Sequence, residues 1–238
     1  MIQSVARKDR AIVGGAISVL VLLAWLYTIR ASVSMQFMGA EYMFPMWVAM
    51  MVAMMTPSAA PMVFAFSRVT RSRQGTEGAQ GTALAFLLGY LALWTGFSVL
   101  ATVAHAVLAN AALVSSMGAS TSCELSAALL MAAGFYQFSP WKNVCLSKCR
   151  TPLGFLLTEW RDGVTGAFIM GLRHGMYCAG CCWLIMAALF VAGVMNLAWI
   201  AALTLIVLAE KALPFGERVS QLLGAAAVLV GAWLLLQP

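Results

Sequence analysis

The charges of this chain fall in short clusters separated by long uncharged apolar runs, and that spacing constrains the fold more than any motif within it. An apolar run of about 20 residues, wound as a helix, matches the thickness of a bilayer core. Seven such runs are expected to cross: 11–29, 44–66, 82–109, 122–138, 171–195, 197–213 and 218–237. Composition points the same way, since 63% hydrophobic and 9% charged residues cannot cover a 238-residue globule in water. The expected fold is all-α: a polytopic transmembrane helix bundle, one integral membrane domain over 1–238, with the lipid bilayer as its first partner. The first run is too long for a secretory signal peptide and no small-x-small cleavage site follows, so it is expected to remain a helix.

Orientation follows from lysine and arginine, which short cytoplasmic loops retain. Twelve of the 14 lie in the N-terminal tail (Arg7, Lys8, Arg10) and in alternate connections (Arg68, Arg71, Arg73; Lys142, Lys148, Arg150, Arg161; Lys211, Arg218). The expectation is a cytoplasmic N-terminus, an outside C-terminus, and residence in a bacterial inner membrane. The net charge of +6 is thus read as a topology signal. No basic stripe interleaved with aromatics accompanies it, so nucleic acid is not an expected partner. The connection 139–170 is cytoplasmic on this reading and long enough for an amphipathic helix along the bilayer, Phe155 to Phe168, with Trp160 as its interfacial anchor.

Six cysteines and two histidines hold most of the chemistry. In Arg173-His174-Gly-Met-Tyr-Cys178-Ala-Gly-Cys181-Cys182, the residues His174, Cys178 and Cys181 sit at i, i+4 and i+7. At about 100° per residue they lie within about 60° of one another, so an imidazole and two thiols share a helix face. Cys182 lies farther round, within reach of a neighbouring helix. Arg173 is placed to balance thiolate charge, and a helix break is expected near Gly171 or Gly175. Small, soft cysteines also fill tight helix interfaces, and a histidine can simply satisfy a carbonyl. Cys145 and Cys149, at i and i+4 in the cytoplasmic connection, form a second pair, with Lys142, Lys148 and Arg150 expected to favour their thiolates.

Nine of 16 methionines fall between Met35 and Met62. On a helix Met46, Met50 and Met54 share a face while Met51 and Met55 occupy the adjoining flank. Thioethers are soft ligands suited to Cu(I), although such a stripe also serves as adaptable packing. Pro57 and Pro61 follow, where they free carbonyls and bend the helix. His105 and Cys123-Glu124 are expected near the outer face, meeting interfacial water, and Glu210-Lys211 near the cytoplasmic end of the sixth run, pairing or snorkelling. Gly89, Gly96, Gly193 and Gly224 permit close helix contact within or between subunits, which leaves a homo-oligomer open.

The ordered set "AMMTPSAAP", "YQFSPWKNVCLSKCRTPLGF", "GLRHGMYCAGCCWLIMAALFVAGVMNLAW" and "AEKALPFG" resembles the bacterial family of predicted metal-binding integral membrane proteins, long carried as a domain of unknown function. The resemblance runs from about Glu41 to Leu236. It implies an association with copper-enzyme maturation, including copper delivery to a tyrosinase-type partner, and points to Cys145, Cys149, His174, Cys178, Cys181 and Cys182 with the Met50 to Met55 run.

The leading expectation is a protein that handles Cu(I), for uptake or for delivery to a cytoplasmic copper-accepting protein or enzyme. It would be a metal-transfer protein rather than an enzyme, with zinc or iron fitting less well. Two alternatives stay open: a membrane thiol–disulfide oxidoreductase using the CxxC and CxxxC pairs, and a metal-dependent membrane oxidase.

Overall fold

The computed structural model describes the backbone of 2–34, 40–74, 76–115 and 117–236, and side chains over 11–33, 41–73, 80–115 and 117–236. Met35, Met38 and the side chains of Arg7, Lys8 and Arg10 lie outside the described residues. The described chain is all-α apart from one isolated bridge, Val114 to Ser120. Its helices are α1 (Ile2–Ser34), α2 (Met43–Gln74, entered through a 3-10 turn at Ala40–Tyr42), α3 (Thr76–Asn110), α4 (Cys123–Tyr136) and α5 (Pro140–Arg150). They continue with α6 (Pro152–Glu159), α7 (Gly163–Ala187), α8 (Leu189–Ala192), α9 (Leu197–Ala212) and α10 (Gly216–Leu235).

Among the described residues, five segments are long and apolar enough to cross a membrane: Ala11–Val33, Met43–Arg73, Gln80–Asn110, Gly163–Ala192 and Gly216–Leu235. Three of the shorter helices, α4, α5 and α9, begin where a side chain supplies the missing backbone acceptor. Ser122 caps α4 by accepting from Leu125 N, Ser139 caps α5 from Trp141 N with Pro140 in the first turn, and Asn196 caps α9 from Trp199 N.

Helix α7 is the centre of the bundle. It packs on α3 and on α5; α3 packs on α2, and α2 on α1 and α9; α4 pairs with α10. The α3–α7 contact is close because glycines face backbone there. A Cβ on Gly89 would overlap the Phe168 carbonyl, and one on Gly171 would overlap the carbonyl of Phe86. This corrects the expected break at Gly171 or Gly175: α7 runs unbroken through both, and their missing side chains admit the neighbouring helix. Gly224 does the same for α4–α10 against Gln137, whereas nothing lies within 4 Å of Gly96. Gly193 sits in a turn at φ +103°, a conformation that side-chain-bearing residues rarely adopt.

The break falls instead at Trp160–Asp162, between α6 and α7, so the expected helix from Phe155 to Phe168 is two helices. Phe155 and Leu156 are buried against the bundle, while Trp160 stacks on Phe66 and lies under the Arg73 guanidinium, 4.5 Å from its ring centroid. Trp160 therefore ties the end of α2 to the α6–α7 corner.

Candidate metal centre

The cysteines of α7 face the middle of the bundle. Cys178, Cys181 and Cys182 are each 1% exposed, and the Cys181 and Cys182 thiols both donate to the Cys178 carbonyl, at 3.0 and 2.9 Å. That convergence follows from i+3 and i+4 spacing, which returns a short side chain to the preceding turn.

Cys149, at the end of α5, joins them. Its thiol approaches Cys178 and Cys181, and interaction with them holds it well above the ordinary thiol range. Cys145, one turn earlier, does not enter the cluster; its sulfur lies against Gly180, where a Cβ would come within 2.8 Å. Burial pushes the Cys145 thiol up. The pair expected to converge is thus split, because α5 crosses α7 with only its C-terminal end at the thiols. Cys123 is exposed at the start of α4, away from the others.

The positive charge at the thiols is not the expected one. Arg173 pairs with Glu159, Lys148 reaches Thr158, Arg150 donates to the carbonyls of Leu213 and Pro214, and Lys142 pairs with Glu210 at 2.7 Å. The ammonium beside the sulfurs belongs to Lys211, 2.9 Å from Cys178 Sγ and 3.1 Å from Ser58 Oγ. Glu210 and Lys211, adjacent on α9, therefore serve different partners. The sequence signal was present, a lysine at the end of an apolar run, but its target on α7 was not visible there. Tyr90, a lone tyrosine of α3, was also missed. Its hydroxyl lies 3.1 Å from Cys178 Sγ and 3.0 Å from the Met55 carbonyl, so its one proton can serve either.

Met46, Met50, Met51, Met54 and Met55 are all buried, at no more than 1% exposure, in the same apolar cluster as the three α7 cysteines. From Met46 to Met55 the ladder rises about 14 Å along α2 at 1.5 Å per residue. At its Met55 end the Cys182 thiol lies 3.9 Å from Met55 Sδ. At its Met46 end Trp47 Nε1 donates to His105 Nδ1 at 3.4 Å, with Phe190 packed on both rings. His105 is 2% exposed, so the expected contact with interfacial water is replaced by an aromatic enclosure.

His174, one turn before Cys178, is packed among Phe86, Tyr90 and Phe155, with ring centroids 6.0, 5.7 and 5.5 Å away. Its Nδ1 is buried and has no hydrogen-bond partner among the described residues. A buried imidazole nitrogen left without a partner is costly, and a metal ligand is one resolution of that cost. Among the described residues, no three His, Cys, Asp or Glu side chains are arranged as a ready metal cage. The thiols bond one another and the backbone, and would exchange those bonds for a metal. The donor set of thiols, thioethers and one imidazole is nevertheless soft throughout, which suits Cu(I) and disfavours hard cations.

The described residues form an all-helical bundle that encloses three buried thiols of α7 beside a run of buried methionines of α2. The chain belongs to the PpoB2 copper chaperone family, which it matches over residues 44–234. No curated protein and no solved structure matches it.

Proposed function

We propose that this protein is a seven-span inner-membrane Cu(I) carrier, with Cys149, Cys178, Cys181, Cys182 and His174 as its retaining site and Met46, Met50, Met51, Met54 and Met55 as the approach to it. The single observation that carries this reading is the contact between Met55 Sδ and Cys182 Sγ, where the thioether ladder meets the thiols. The two helices short of a full span, α4 and α9, complete the count, with the N-terminus cytoplasmic and the C-terminus outside.

In this topology the methionines occupy the outer half of α2. Thioethers bind weakly enough to release, while thiolates and an imidazole retain, so an ion passed from Met46 toward Met55 moves to progressively stronger donors without full hydration. Cys149 is the one ligand carried by the cytoplasmic α5, which makes it the natural point for transfer to a cytoplasmic copper-accepting partner. Cys145 lies one turn away, with a thiol that could take part in release.

The test is metal content of protein purified from copper-loaded cells. Copper is expected with the wild type and absent from a Cys178→Ser/Cys181→Ser variant; equal copper in both would end this reading. X-ray absorption on the loaded protein separates sulfur-only ligation from sulfur with nitrogen, and so tests His174. The thiol contacts of Cys149 with Cys178 and Cys181 also support a second reading, thiol–disulfide exchange. That reading requires a disulfide trapped between α5 and α7 whose redox state is indifferent to metal.

A further inference from the structure

We infer that Lys211 is the counter-charge of the sulfur centre and limits it to a monovalent ion held by two thiolates. The inference rests on the copper reading of that centre and goes beyond it by assigning what selects the ion.

Charge in a low-dielectric interior must be balanced locally. Lys142 is balanced by Glu210, a pair with side chains 0% and 2% exposed, and Arg173 by Glu159. Lys211 has no carboxylate within ion-pairing distance among the described residues; its Nζ contacts Cys178 Sγ and the neutral Ser58 hydroxyl. Sulfur is therefore its only source of negative charge. Without metal, one thiolate balances the ammonium.

When Cu(I) binds two thiolates, one further thiol gives its proton to solvent or to the donor that delivered the ion. The ion adds one positive charge and the departing proton removes one. The copper–dithiolate unit carries one negative charge, which Lys211 cancels. A divalent ion on the same two thiolates would leave a buried positive charge. It reaches balance by losing one more proton, either from Lys211, which then ceases to be the cation beside Cys178, or from a third thiol turned from its hydrogen-bond partner, as Cys181 and Cys182 are now held on the Cys178 carbonyl. The fixed ammonium thus favours a monovalent guest by charge, in addition to the softness of the donors.

The experiment presents purified wild type, Lys211→Arg, Lys211→Met and Ser58→Asp with equal Cu(I) and Cd(II) under reducing, oxygen-free conditions, and measures both metals bound per chain. Lys211→Arg is expected to keep the wild-type ratio. Lys211→Met removes the charge and Ser58→Asp neutralises it from its other contact, so each is expected to lower the ratio of Cu(I) to Cd(II) by about tenfold, the effect of one modest electrostatic term. A wild-type ratio in either variant, eluting as the native protein does in detergent, overturns the inference; if one variant does not fold, the other decides. X-ray absorption on the wild type needs no variant: two sulfur ligands are expected on Cu(I), and three or four equal sulfurs overturn the proposal. If Cys178→Ser/Cys181→Ser still binds both metals as the wild type does, the site reading fails and not the role of Lys211.

Discussion

Two lysines are drawn into this bundle, and they are treated in opposite ways. Lys142 is 0% exposed and enclosed by groups that leave it nothing to do: Glu210 at 2.7 Å, and Gln137, which also accepts from Ser220 at 3.0 Å and donates to Glu210 at 3.0 Å. That network ties the α4–α5 corner to α9 and α10. Among the described residues, Lys211 contacts only the Cys178 sulfur and the Ser58 hydroxyl. A carboxylate partner makes a fixed fastening, whereas a thiol is a donor suited to a soft metal, which is the exchange that the proposed function asks of the second site.

The sharpest way to expose the contrast is to delete each lysine. Lys142→Met should cost about 3–5 kcal/mol, because a buried carboxylate remains unpaired. A thermal melt in detergent should show the loss, with much of it recovered in Lys142→Met/Glu210→Leu. Lys211→Met should lower the melting temperature less, since it leaves behind a thiol, a group that is ordinarily neutral, rather than a carboxylate. Equal melting losses for the two variants would erase the distinction.

The next largest effect concerns the two α5 cysteines. Cys149→Ser should weaken copper binding by about tenfold, and Cys145→Ser should leave it near wild type, because Cys149 approaches both Cys178 and Cys181 whereas Cys145 lies against Gly180. Competition against a Cu(I) chelator measures both. Because burial raises the Cys145 thiol, its maleimide labelling at neutral pH should be slower than that of exposed Cys123, and should climb only as pH passes above the usual thiol range. The smallest effect is expected at Arg173, 39% exposed on its side chain. Arg173→Gln should change stability by about 1 kcal/mol or less and leave bound copper unchanged. A loss of copper there would return to Arg173 the role that the structure gives to Lys211.

Much of the candidate site was legible before any coordinates. The spacing of His174, Cys178 and Cys181 placed three donors on one face because helix geometry is local, and the stripe from Met46 to Met55 was readable for the same reason. Contacts between helices were not. Neighbours in sequence diverge by about 100° on a helix, so Arg173, adjacent to His174, turns away to Glu159, while Glu210 and Lys211 face α5 and α7 respectively. The glycines of α7 were legible as a possible break, but only the approach of α3 shows that they are spaces for a neighbouring backbone.

By itself the sequence determined the uncharged runs of bilayer length and the helical spacing of its cysteines, histidine and methionines. Tertiary structure decided which cysteine of α5 reaches α7, which cation stands beside the sulfurs, and that the last thioether of the ladder touches a thiol. The physical reason is range. Hydropathy and periodicity act over a few residues along the chain, whereas charge balance and ligand convergence depend on which faces of separate helices are brought together.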